Sequence, residues 1–208
     1  NAGIYLLYEQ TAIGEAQQEV DDQLKAMGTS ASKIENFSYY NYNVQDKTFS
    51  QYVQDRTLEQ VKQYVAIQNK FKELNLSLTD EEEETVKTSV KKMWDTEISY
   101  YGYSTGKTYG QNYEAGGISK KSYEAVQLVN KMSEKVFDAY YEKGWIDKVI
   151  TTNLNYRIPE LLTRPYYVEA NMSKYLASIM DIINHDVSVE KVRSSNEKIM
   201  DLMKRVNQ

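Results

Sequence analysis

The chain has 208 residues, 41% of them hydrophobic and 26% charged, with a net charge of −5. This is a globular composition, neither disordered nor membrane-like. No Cys is present, which excludes disulfides, thiolate nucleophiles and Cys-based zinc sites, and the single His185 excludes a His–His metal pair. The acidic balance argues against nucleic acid as a partner, because phosphate binding requires clustered Lys and Arg. No run of 18 apolar residues occurs, so no transmembrane segment is expected. A chain that starts at Asn1 instead of Met reads as processed or trimmed, with any targeting signal out of view.

In chain order, Asn1 to Met27 predicts a first helix, with Ile4, Leu7, Tyr8, Ile13, Val20 and Leu24 recurring at three, four and seven, and Gly28 as its stop. Thr29 to Val44 is rich in Ser, Asn and Tyr and reads as a loop. A second helix starts at Thr48, where Gln51 completes a capping box, and carries Phe49, Val53, Val61, Val65, Phe71 and Leu74 on one broad face. A third starts at Thr79 with Glu82 as its box partner. Its buried stripe is Val86, Val90, Met93, Trp94 and Ile98. Tyr101 to Gly117 reads as a Gly- and Tyr-rich loop. A fourth helix starts near Ser119 and carries Tyr123, Val126, Val129, Val136, Phe137 and Tyr140.

The pattern changes after Lys143. Residues 1–143 hold 16 basic and 22 acidic residues and 15 of the 19 tyrosines, whereas both prolines and the only His come later. Asp147 to Leu154 and Tyr166 to Ala170 are short β-branched or aromatic runs that read as strands. Ile158 to Pro165 between them is a loop punctuated by Pro159 and Pro165. Ser173 to Asn184 predicts a helix capped by Ser173, with Leu176, Ile179, Met180 and Ile183 inward, and Val189 to Val206 predicts a last one. The two strands are expected to pair, with Val149, Ile150, Leu154, Tyr166 and Val168 facing the Ser173 helix. The expected fold is therefore mostly α: a helical domain over 1–143 and a small α/β appendage over 144–208, built of two short strands and two helices.

Three runs invite a chemical reading and do not sustain it. Gly102 to Thr108 ends like a phosphate-binding loop, but only three residues separate its glycines where four are needed. The acids Asp80 to Glu84 sit on consecutive helical positions, point in different directions and suit the positive end of the helix dipole better than a bound cation. His185-Asp186 has no nucleophile context and reads as a helix C-terminal His. No catalytic residue, metal ligand or cofactor site is assigned. The loop tyrosines, Tyr39, Tyr40, Tyr42, Tyr100, Tyr101 and Tyr103 with Tyr109 and Tyr113, have two readings. They pack back on the bundle, or they form an adaptable apolar surface, since Tyr gives large contact area at low entropy cost.

The segments Gly3-Ile4-Tyr5-Leu6-Leu7-Tyr8, Phe49-Ser50-Gln51-Tyr52-Val53, Phe71 to Glu82 and Val136 to Gly144 resemble the N-terminal helical domain of SurA- and PrsA-like foldases, the extracytoplasmic chaperones and peptidyl-prolyl isomerases of bacteria. The resemblance implies a chaperone-like domain that binds unfolded or extended polypeptide, with Tyr39, Tyr40, Tyr42, Tyr100, Tyr101 and Tyr103 as candidate contacts. The parvulin isomerase domain that normally follows is not recognisable. From Phe137 onward, Phe137-Asp138-Ala139-Tyr140-Tyr141-Glu142-Lys143-Gly144, Thr151 to Arg157, Pro159-Glu160-Leu161-Leu162, Arg164 to Val168 and Asn184-His185-Asp186 are similar in order and spacing to the C-terminus of ribose-phosphate pyrophosphokinase. That resemblance implies the closing strands and helices of a phosphoribosyltransferase-type domain without its ribose-phosphate, pyrophosphate and ATP loops. It offers pyrophosphokinase subunits as a partner, with Thr151, Thr152, Asn153 and Arg157 as candidate contacts. An extracytoplasmic location follows from the first resemblance and a cytoplasmic one from the second. The two overlap at Phe137–Gly144, where a natural fusion, a recombined reading or an artificial sequence would each keep one continuous helix.

Overall fold

The structure is a computed structural model that describes residues 1–100, 102–154 and 159–184. It is mostly α with small sheets, as expected, and divides into two compact units, Asn1–Tyr140 and one that begins at Tyr141.

The first unit opens with α1 (Ala2–Ala26), whose first turn is capped by the Asn1 side chain accepting from the Gly3 N–H at 3.0 Å. Gly28, at φ +74°, turns the chain out of the helix, and the Thr29 N–H donates back to the Leu24 carbonyl. The segment read as a loop holds two single-turn 3₁₀ helices and a two-residue strand, β1 (Asn43–Val44), paired antiparallel with β2 (Lys47–Thr48). Then α2 (Phe49–Glu73) begins with the expected capping box at Thr48 and Gln51. It runs antiparallel to α1: Tyr8 meets Tyr64, Glu15 meets Arg56, and the far ends of α1 and β1 close over Phe49. Ala12, Ala16, Val20 and Leu24, four residues apart, pack on Val44, Phe49 and Val53. The small side chains at 12 and 16 let α2 come close. Full burial of Val20, Leu24 and Phe49 stabilises the pair by about 1.5–3 kcal/mol each. Arg56 adds a two-pronged bond to the Glu15 carboxylate, at 2.6 and 3.2 Å. Val65, placed by its spacing on the inner face of α2, is exposed.

α3 (Asp80–Asp95) starts at its expected capping box, Thr79 with Glu82. It stops before Ile98, which lies instead in β3 (Glu97–Tyr100). The expected loop over Tyr101 to Gly117 is largely regular: β4 (Tyr103–Thr108) pairs antiparallel with β3, and α4 (Tyr109–Ala115) follows with its own capping box, Thr108 and Gln111. α5 (Lys120–Glu142) completes the unit. A second core forms from Leu7, Ile118 and Val126, with Tyr64, Tyr113 and Tyr123 packed against it. Trp94 of α3 stacks on Tyr113 at 5.7 Å and meets the edge of Tyr123 at 5.8 Å.

The second unit carries β5 (Val149–Thr152), α6 (Pro159–Leu162), β6 (Tyr167–Ala170) and α7 (Ser173–Asn184). The strands pair as expected, and they do so in parallel, which the long connection through α6 makes possible. The Asn153 carboxamide ties the end of β5 to the start of α7: it donates to Asn171 and Ser173 and accepts from the Met172 N–H at 2.8 Å. Ser173 is the first helical residue, its N–H donating to the Asn171 side chain, and not the cap. The expected inward face is only partly buried. Tyr166 is buried against the Tyr141 ring at 5.3 Å, but Ile150, Leu154, Val168, Leu176 and Met180 are exposed. The helix expected over Val189 to Val206 lies outside the described residues, as does His185-Asp186.

Among the described residues no helix is long and apolar enough to cross a membrane.

Candidate functional site

Among the described residues of the first unit, three concave features stand out. The most apolar is an open cleft of about 330 Å³ between α3 and α5. On α3 its wall comes from two rows of residues spaced by four, Thr85, Ser89 and Met93, and beside them Val86 and Val90, with Thr85 and Ser89 small. The small pair leaves the furrow open. On α5 the wall is Tyr123, Gln127, Asn130, Lys131 and Glu134, at the three- and four-residue spacing of one helix face. Lys131 and Glu134 are paired with each other at 2.6 Å, so the cleft carries little net charge.

Both ends of the cleft are closed by contacts between its two helices. At one end Lys135 bridges to Glu82 at 2.7 Å and donates to the Ser77 carbonyl at 3.0 Å. Burial works to raise the Glu82 carboxyl, but the hydrogen bonds from Lys135 and the Thr79 N–H outweigh it and hold the group below its usual range. At the other end stand Trp94, Tyr113 and Tyr123. Burial, with the neighbouring phenol second, raises the hydroxyls of Tyr113 and Tyr123, so both stay neutral through the ordinary pH range.

A second cleft, about 280 Å³, lies where α1 meets the start of α2, lined by Tyr5, Ile13, Tyr40, Phe49 and Val53. The third recess, about 320 Å³, is polar, and its own charges are paired within it, Lys47 to Asp55 at 2.6 Å and Arg56 to Glu59 at 3.0 Å.

The tyrosines named from sequence separate into two groups. Tyr39 and Tyr42 are half-buried on either side of Phe37, at 4.8 and 5.4 Å between ring centroids, and Tyr39 donates its hydroxyl to Asp21. These two pack on the α1–α2 core. Tyr40 is 67% exposed, rests against Phe49 at 5.0 Å and forms one lip of the second cleft. Tyr100 and Tyr103 are cross-strand partners at the tip of the β3–β4 hairpin, 69% and 79% exposed. Tyr101 lies outside the described residues. The structure therefore does not bring the five described tyrosines into one surface. Of the four candidate contacts in the second unit, Thr151 and Tyr167 share a hydroxyl–hydroxyl bond at 2.5 Å and Asn153 serves the internal tie already described. Thr152 ends β5, half-buried, and Arg157 lies outside the described residues.

The α3–α5 cleft was not singled out from sequence. The spacing of Val86, Val90 and Met93 reads as an ordinary buried stripe. Thr85 and Ser89 beside that stripe are small and polar, which also suits a solvated helix face, so the sequence alone does not mark the cleft. Among the described residues no group of three or more His, Asp or Glu stands close enough to hold a metal ion.

No family model, no curated protein and no solved structure matches the chain.

Proposed function

We propose that the first unit is a non-catalytic, foldase-like module that binds unfolded or extended polypeptide. The observation that carries this reading is the open cleft between α3 and α5, with an apolar floor and an almost neutral polar rim. Clefts between helices commonly receive peptides in this way. The exposed Tyr40, Tyr100 and Tyr103 add adaptable contact area outside it. The resemblance of residues 1–143 to the helical domain of bacterial foldases supports the same role. The test is light scattering of an aggregating client with the full chain added. Suppression at near-stoichiometric chain is the expected result, and unchanged aggregation is the result that rejects it.

A second reading is favoured by one feature of the second unit. Parallel strands are normally buried on both faces, yet Ile150 and Val168 of the β5–β6 pair are exposed. A pair of this kind suits a piece of a larger sheet, in keeping with the resemblance to the pyrophosphokinase C-terminus. On this reading the unit contacts pyrophosphokinase subunits through the region of Thr151, Thr152, Asn153 and Arg157. Co-purification of the full chain with an intact pyrophosphokinase is its expected signature, and its absence rejects this reading without touching the first.

A further inference from the structure

We propose that the α3–α5 cleft holds a short, extended and uncharged segment of a client polypeptide, with one large apolar side chain seated among Val86, Val90 and Met93 and the client's backbone bonded by Gln127 and Asn130. The proposal rests on the peptide-binding reading and specifies which peptides qualify.

Length comes first. From Thr85 to Met93 the α3 wall advances about 12 Å, at roughly 1.5 Å per residue. An extended chain covers that distance in about four residues at about 3.3 Å each. The cleft cannot accept a longer ligand along its axis, because the Lys135–Glu82 bridge closes one end and the Trp94–Tyr123 contact closes the other. A client helix, roughly 10–12 Å across with its side chains, would ride on the rim and leave the floor unfilled.

Charge comes second. Lys131 and Glu134 neutralise each other, and the rest of the polar lining is hydroxyl or carboxamide. A charged client side chain entering the cleft would give up hydration and meet no free opposite charge, which is unfavourable. A peptide backbone offers one donor and one acceptor per residue; Asn130 donates to Gln127 at 3.4 Å, and each of these carboxamides still keeps an N–H and an oxygen lone pair to offer in return. The lining is thus complementary to neutral main chain with a hydrophobic anchor, and not to acidic or basic motifs.

The test uses the full chain and three labelled peptides of Ser, Thr and Gly with a central Leu, a central Asp or no large residue, read by fluorescence anisotropy. The Leu peptide is expected to bind at least about tenfold more tightly than the other two. Ser89→Trp, which fills the furrow from an exposed position, is expected to remove that preference. Gln127→Ala with Asn130→Ala is expected to weaken binding while leaving the furrow open, so an effect of Ser89→Trp on folding cannot imitate the result. Equal binding of the Leu and Asp peptides overturns the proposal, as does a preference for Leu that survives both sets of substitutions. Suppression of client aggregation that persists in Ser89→Trp and is lost in Tyr100→Ala with Tyr103→Ala overturns the cleft but keeps the chaperone reading. No suppression by the unaltered chain overturns that reading itself.

Discussion

At Gly110, in the first turn of α4, a single added carbon would overlap the Trp94 indole, because the α4 backbone packs directly against that ring. The residue is fixed by close approach and not by backbone angle. Gly110→Ala is expected to displace Trp94, disturb its stack on Tyr113 and cost about 1–3 kcal/mol, the usual range for overpacking a filled site. A fall in the urea midpoint with a red shift of tryptophan emission checks it. Glu82 is paired with Lys135 where the α3–α5 cleft closes. Its carboxyl is held below the usual range by Lys135 and the Thr79 N–H against an opposing burial effect. A depressed carboxyl contributes stability that is present above the unfolded-state value, about 4.3, and disappears as pH falls through the lower folded-state value. Glu82→Gln is expected to lower stability at neutral pH and to flatten the acid limb of the stability profile below about pH 4.3. Unfolding midpoints measured from pH 7 downward decide it, and an unchanged acid limb would show that other carboxyls govern it.

Three helices start by one device. Thr48 with Gln51, Thr79 with Glu82 and Thr108 with Gln111 each form a reciprocal capping box. Thr79→Ala is expected to cost about 1 kcal/mol and to loosen the Lys135–Glu82 bridge, because Glu82 serves both cap and ion pair. Thermal unfolding of Thr79→Ala and Glu82→Gln alone and together measures that coupling, which should make the double change less than additive. The first two boxes were legible in the sequence because a long apolar period follows each of them. The third has the same Thr-x-x-Gln spacing, but α4 is only seven residues long, carries Gly110, Tyr109 and Tyr113, and runs straight into Gly116 and Gly117, so its composition reads as a loop. The hairpin before it escaped for a related reason: β4 reads Tyr-Ser-Thr-Gly-Lys-Thr, almost wholly exposed, with no alternation of apolar and polar residues to betray a strand. Its turn depends on Gly102 at φ +82° and its middle on Gly106 at φ +69°. The cleft was hidden differently. Periodicity reports which helix face is apolar, and Val86, Val90 and Met93 satisfy it whether or not a neighbour fills the space above them. Only the opposing helix decides that, and its spacing to α3 is a tertiary fact.

Among the described residues, the two units differ in how much apolar surface they remove from water. The first has two packed clusters, an aromatic group around Trp94 and the Arg56–Glu15 clamp. In the second, Tyr166 is the one buried apolar side chain among the described residues, while Met180 is 63% exposed and Ile150 68%. Burial of apolar surface is the main favourable contribution to folding, and chain ordering costs about 1–2 kcal/mol per residue of backbone in either unit. Local opening is therefore expected to be cheaper in the second unit, where strand and helix hydrogen bonds lack an apolar cover on these faces. Amide hydrogen exchange on the full chain reads this directly. Peptides spanning Val149–Thr152, Tyr167–Ala170 and Ser173–Asn184 should exchange well before those from α1 and the first half of α2. The same measurement bears on what the second unit is for. If an added pyrophosphokinase slows exchange in β5 and β6 and leaves α1 unchanged, the exposed strands have found the cover they lack. If these segments exchange as slowly as α1 in the isolated chain, the second unit holds its strands without a partner, and its exposed faces need no cover.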